Sequence, residues 1–326
     1  DNLMSRYYTD GNGWADTELV EQESSESVEA PRLVQLGASQ FIAAWRQTGG
    51  SHETVWGNIW DDTSGWQIPN GLSDPTSDAG FPSVASDQDG NARIGWSLAV
   101  DTDNAYAAVS TFSGSSWTSA TQISDPADST GSVDVALDAD GNSYAVWLEE
   151  GAGGRRSVWT SHNTDGSWST PAELESDVGT ASLPEVMATS SGQAVAIWFQ
   201  ALSDSQRYET TIRTATFTEG SGWSSVEEVR HDSSFAFTPT LALRENGHGQ
   251  AVWYQLTSGS LGVWTSGYTT TGGFAAPVQI DAGTTSLITA QNITKPDVAV
   301  SEDGRAAAVW QQKESGTLNV SANVFE

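Results

Sequence analysis

A fifteen-residue unit that opens on proline and closes on tryptophan constrains this chain more than any other feature. It occurs six times: Pro31 to Trp45, Pro82 to Trp96, Val133 to Trp147, Pro184 to Trp198, Pro239 to Trp253, and Pro296 to Trp310. Opener and closer are always 14 residues apart, and only Val133 departs from proline. A glycine stands six residues before the tryptophan in five copies, as Gly90, Gly141, Gly192, Gly247 and Gly304, with Ser39 in the first. A second aromatic series runs in phase, with Trp66, Trp117, Trp168, Trp223 and Phe274 lying 21, 21, 21, 25 and 21 residues after the preceding tryptophan. Trp14 stands ahead of both series. Two aromatic series locked at a period of 51 residues mark a repeat array, in which each unit buries its apolar face against the next.

Each unit reads as four strands. Strand A is expected to begin at the proline, where the missing N–H costs no ladder bond. Asp89-Gly90, Asp140-Gly141, Asn246-Gly247 and Asp303-Gly304 are dipeptides suited to tight hairpins. Strand B is small and apolar before its tryptophan, as in Ala196-Ile197 and Ala251-Val252, so that neighbouring sheets approach closely and the indole fills the gap. Strand C carries Val55-Trp56, Ala105-Tyr106, Val158-Trp159 and Val263-Trp264, and strand D starts at the second aromatic. No segment keeps a 3.6-residue period, so helix is not expected. The pattern predicts an all-β chain: one six-bladed β-propeller of four-stranded antiparallel blades over 1–326, its ring closed by the N-terminal strands. C-like strands number seven, because residues 3–8 and 318–325 both qualify, so one is surplus.

Charge narrows the partners. With 42 acidic against 13 basic side chains the net charge is −29, which argues against nucleic acid and against an anionic membrane surface. Acidity spread along the chain suits a heavily hydrated surface in salty surroundings or at a cation-rich cell exterior. The absence of cysteine removes thiolate metal sites and thiol catalysis. No apolar run reaches the ~18–20 residues of a membrane span, so no membrane insertion is expected.

The run Ala251-Val252-Trp253-Tyr254-Gln255, with residues 2–8, Gly13-Trp14 and Ala30-Pro31, resembles the AVWxQ…NIxAxxY…GxGW…PxxAxDxxGNA repeats of bacterial exported and surface proteins. The resemblance covers nearly the whole chain. It implies a propeller and an extracellular or cell-surface location, and it carries no activity. The chain is also distantly similar to Asp-box propellers of the sialidase kind. The closest stretch, Ser86-Asp87-Gln88-Asp89-Gly90, puts Trp96 six residues past the glycine, too far for a true Asp-box. No set of strand-end arginines stands ready for a sialic acid carboxylate.

Two positions per repeat are expected at the channel mouth. The first follows the opener: Arg32, Ser83, Asp134, Glu185, Thr240 and Asp297, of which Arg32, Asp134, Glu185 and Asp297 are charged. The second lies two after the strand B tryptophan: Gln47, Leu98, Glu149, Gln200, Gln255 and Gln312. A rim of carboxylates and amides would bind sugar hydroxyls or a hard cation such as calcium, the one candidate cofactor. Two of its carboxylates could instead form a glycosidase pair. Against this stands a merely solvated rim. Asp87–Asn91 and Asp138–Asn142 resemble the start of a calcium loop but lack its distant acidic partner, so they read as hairpin turns. His52, His162, His231 and His248 show no metal-ligand spacing and read as surface residues. The acidic run from Glu21 to Glu26 falls in a D–A connection and reads as solvated. Trp56, Trp60, Trp159 and Trp264 escape the two main series and are the candidates for sugar stacking.

The leading expectation is a monomeric, non-catalytic binding or adhesion module that recognises a glycan or a surface protein. The alternatives are a hydrolase or lyase using Asp134, Glu149, Glu185 or Asp297, and a structural segment of a longer surface array.

Overall fold

The computed structural model describes residues 2–21, 26–87, 89–126, 129–151, 154–176, 178–189, 192–203, 209–229, 235–257, 260–281, 295–314 and 317–325. Among the described residues there is no helix, and the regular structure is all strand. The chain packs as two compact units, 1–137 with 161–171, and 138–160 with 172–326.

In the first unit, sheet I is an antiparallel run of strands A (Val28–Gln35), B (Gln40–Gly49) and C (His52–Asp61). Sheet II repeats it with Ser83–Ser86, Asn91–Ala99 and Ala105–Ser113. The third copy's strand A is Ser129–Leu137. The second unit holds that copy's strand B (Ser143–Glu150) and D piece (Ala172–Glu173), then sheets IV, V and VI. Their strands A to C are Ala181–Ala188, Gln193–Ala201 and Thr210–Thr218; Phe235–Leu243, His248–Thr257 and Ser260–Thr269; and Asp297–Val300, Ala306–Glu314 and Thr317–Phe325. Within each unit strand A lies beside strand A of the next copy.

Strand D is broken. In sheet I, Gly65–Trp66 and Asn70–Gly71 pair separately with strand C, through Trp60 opposite Trp66 and Trp56 opposite Gly71. Sheets II, IV and V repeat the break. A short, interrupted edge offers little unpaired backbone to another chain. Residues 317–325 take the C position of sheet VI. The N-terminal C-like copy makes two-stranded pieces of its own, Met4–Ser5 with Glu18–Leu19 and Tyr8–Thr9 with Gly13–Trp14.

The core lies between successive sheets. Trp253 of sheet V is fully buried among Val195, Ile197 and Ile212 of sheet IV, and Trp310 sits against Val252, Tyr254 and Val263 of sheet V. Trp96 meets Ala44, Val55 and Leu72 of sheet I. Burying an indole removes about 150–250 Å² from water, on the order of 4–6 kcal/mol at ~25 cal/mol per Å². The small residues ahead of the tryptophan in strand B, Ala44 in sheet I, Gly95 in sheet II, Ala196 in sheet IV and Ala251 in sheet V, allow that approach. The second aromatic series is only half-buried, and Trp14 is 66% exposed, so the first series carries the core.

Strand A begins at the proline position only in sheets II and VI, where it starts at Ser83 and Asp297. In sheets I, IV and V it starts earlier and slips register at the opener, between Glu29 and Arg32, Ser182 and Glu185, and Phe237 and Thr240. Proline is tolerated there because a bulge takes its position out of the ladder. The residue before the opener is left-handed in four copies: Ala30 (φ 47°), Ser132 (49°), Leu183 (48°) and Thr238 (52°).

Candidate functional site

The bulge sets up the first candidate ring. Arg32, Glu185 and Thr240 are the first residues to regain register after it, and Ser83 and Asp297 open the two shorter strands. Ser83 and Thr240 are buried. Arg32 and Asp297 are exposed, and Asp134 and Glu185 are partly exposed. Asp297 accepts a hydrogen bond from the Val298 N–H at 2.9 Å. Glu185 is the most elaborated of the set. Its carboxylate forms an ion pair with Lys295, just ahead of strand A of sheet VI, and accepts the Leu241 N–H of sheet V at 3.3 Å. One side chain thus ties three successive copies of the second unit together.

The second ring is a different object. Gln47, Glu149, Gln200, Gln255 and Gln312 are all buried, at 1–6% exposure, and do not stand at a rim. Residues two apart on a strand share a face, so the residue after next to a core tryptophan enters the core with it. There its oxygen accepts the indole N–H: Trp45 to Gln47 at 2.9 Å, Trp147 to Glu149 at 3.0 Å, Trp198 to Gln200 at 2.9 Å, Trp253 to Gln255 at 2.9 Å and Trp310 to Gln312 at 3.1 Å. An indole nitrogen only donates, and a buried donor left unpaired costs about 1–3 kcal/mol. Sheet II supplies the control: Leu98 replaces the amide, and Trp96 Nε1 is buried with no acceptor. The expectation that these five residues face a ligand is corrected on this geometry, and Glu149 leaves the set of available carboxylates.

The calcium-like stretches are hairpin turns, as their sequence suggests. Asp87 accepts Asp89 N–H at 2.9 Å and Asn91 N–H at 2.8 Å, and Asp138 accepts Asp140 and Asn142 N–H at 3.0 and 2.9 Å. Asp138 also accepts the Tyr144 hydroxyl at 3.1 Å, and burial with this carboxylate beside it pushes the phenol pKa up. Among the described residues no group of three or more His, Asp or Glu is placed to hold a metal. Of the histidines, His52 lies 3.2 Å from Asp78, whose pKa is lowered chiefly by the Glu53 N–H. His162 is partly buried, and desolvation lowers its pKa; His248 is exposed, and His231 lies outside the described residues. Glu21 is likewise not solvated: it is 3% exposed and accepts Leu3 N–H at 2.7 Å. Residues 22–25 lie outside the described residues.

Among the stacking candidates, Trp56 and Trp264 pack against the cores of sheets I and V, and half-buried Trp159 pairs with Glu173. Trp60 lines an open groove of about 470 Å³ in the first unit.

No family model matches the chain, and no curated relative does either. Solved structures do match. A PL25 ulvan lyase is similar at TM-score 0.55 and 11% identity, over 89% of this chain and 83% of that one. A protein of unknown function from Dyadobacter fermentans DSM 18053 is similar at TM-score 0.53 and 11% identity, over 94% and 96%. The Hadza microbial sialidase Hz136 is similar at TM-score 0.50 and 10% identity, over 87% and 67%. At such identities the likeness is one of fold.

Proposed function

We propose that the six copies are blades of one β-propeller, closed by the N-terminal strands, and that it acts on a glycan as a hydrolase or lyase at the strand A positions. The observation that carries the reading is the Glu185–Lys295 pair, a partly exposed carboxylate bonded to an ammonium immediately after a left-handed, non-glycine bulge. A carboxylate can serve as general acid or base at a glycosidic bond, and a cation can hold the charge that develops across from it. Left-handed conformation in leucine or threonine costs about 1–3 kcal/mol, and such strain clusters at functional sites. The neighbours whose names state an activity, a lyase of the polysaccharide ulvan and a sialidase, support cleavage over retention. A polymer too large to cross a membrane is met outside the cell, which supports an exported location.

A second reading, a non-catalytic glycan- or protein-binding module, is favoured by the spacing of charges. At the position after the opener the charged side chains stand singly in separate sheets, as Arg32, Glu185 and Asp297, with Ser83 and Thr240 in their place in sheets II and V. Incubating polysaccharides with the chain and measuring reducing ends and unsaturated uronides separates the two. Glu185→Gln is expected to remove product release by roughly a hundredfold, the scale of one general acid–base group, measured at a temperature where circular dichroism shows the variant fully folded. Product release indifferent to Glu185→Gln would remove the site. Glycan retained and recovered whole would favour the second reading.

A further inference from the structure

The groove at Trp60 has a composition that the core does not need. It forms where two C–D corners of the first unit meet: the N-terminal one, with Tyr8 opposite Trp14, and that of sheet I, with Trp60 opposite Trp66. At the equivalent corners of sheets II, IV and V the strand C ring is 2–3% exposed, as Phe112, Phe217 and Tyr268. Here Tyr7, Tyr8 and Trp14 are 43, 57 and 66% exposed. Their rings are held in place. Tyr7 lies 5.2 Å from Trp60, Tyr8 meets Trp14 edge-on at 5.5 Å, and Phe41 backs Trp60 at 5.8 Å. Trp60 Nε1 donates to Glu18 at 3.3 Å and Trp66 Nε1 to Ser5 Oγ at 2.6 Å, so the indole planes are fixed from behind.

We infer that this groove is a glycan-binding site, separate from the strand A positions, for an uncharged sugar chain. An open aromatic surface of this kind marks an interaction site, and its volume suits a small ligand. Pyranose rings present apolar C–H faces that lie on indole and phenol planes, while their hydroxyls need acceptors at the edge. Asp62 lines the groove and Glu18 stands behind Trp60, both acceptors. The cation of the lining, Arg6, spends its Nε on the Ala15 carbonyl at 2.8 Å. With a net charge of −29 the chain repels polyanions at long range, so a neutral glycan is the occupant that the charge admits.

The test is affinity electrophoresis of the full chain in gels carrying a neutral glucan or mannan, or anionic ulvan or alginate. Retardation by a neutral glycan is expected, weakened roughly tenfold or more by Trp14→Ala and by Trp60→Ala, the scale of an aromatic anchor. Trp14 is exposed, so its variant is expected to keep the parent melting temperature, and Trp60→Phe to restore part of the retardation. Glu185→Gln is expected to leave retardation in place, so failure of the cleavage reading and failure of this one are distinguishable. Retardation by anionic glycans alone, or retardation indifferent to both tryptophans, would overturn the proposal. So would self-association that Trp14→Ala abolishes, because the groove would then hold a second copy of the chain.

Discussion

At the scale of single residues, the tryptophan and its acceptor two positions on are one unit. The indole supplies buried area, and the amide removes the penalty of burying its N–H. Leu98→Gln should therefore give Trp96 the acceptor it lacks and raise stability by about 0.5–1.5 kcal/mol, read as a higher denaturant midpoint. Gln255→Leu should lower it by about 1–3 kcal/mol and leave glycan retention unchanged. A destabilising Leu98→Gln would contradict this account. The five polar residues were visible in the sequence as a periodic series, but their role was not. Position i+2 on a strand fixes which face a side chain shares, not whether that face looks to water. Leu98 was the clue: an apolar residue replaces the amide without disturbing the repeat, as suits a core position. Glu185 and Asp297 were legible as candidates, whereas the Lys295 partner was not, since ion pairing across copies follows from packing.

At the scale of elements, the 51-residue period gave strands A to C and the Asp-Gly hairpins, because turn chemistry and alternation are local. The breaks in strand D and the bulge in strand A were not local in that sense. The opening proline predicts a strand start, whereas in sheets I, IV and V the ladder runs on both sides of it. Thr238 makes the bulge testable: it is left-handed, and its Oγ1 is buried without a partner. Thr238→Gly removes both penalties at the cost of a more flexible unfolded chain, and a net gain of about 1 kcal/mol is expected. A loss of stability on chemical denaturation would show that the bulge is held by threonine itself. In the sequence the N-terminal C–D corner is one of two candidates, with residues 318–325, for the surplus C-like copy. Of its aromatic groove the sequence shows only Trp60, one of four tryptophans outside the two main series, as a candidate for sugar stacking.

At the scale of the whole molecule, a net charge of −29 on 326 residues means that self-repulsion opposes folding. Salt screens such repulsion over about 10 Å at 0.1 M and about 3 Å at 1 M. The melting temperature should therefore rise with sodium chloride across that range, and a fall would contradict a destabilising field. The same field opposes the approach of nucleic acid and favours a neutral glycan at the aromatic groove. The measurement that bears most directly on the central claim is the size profile of neutral and of uronate-bearing polysaccharides after incubation with the intact chain. The account predicts chains that are bound and then shortened. Polysaccharides of every class recovered at full length, with none retained, would contradict it.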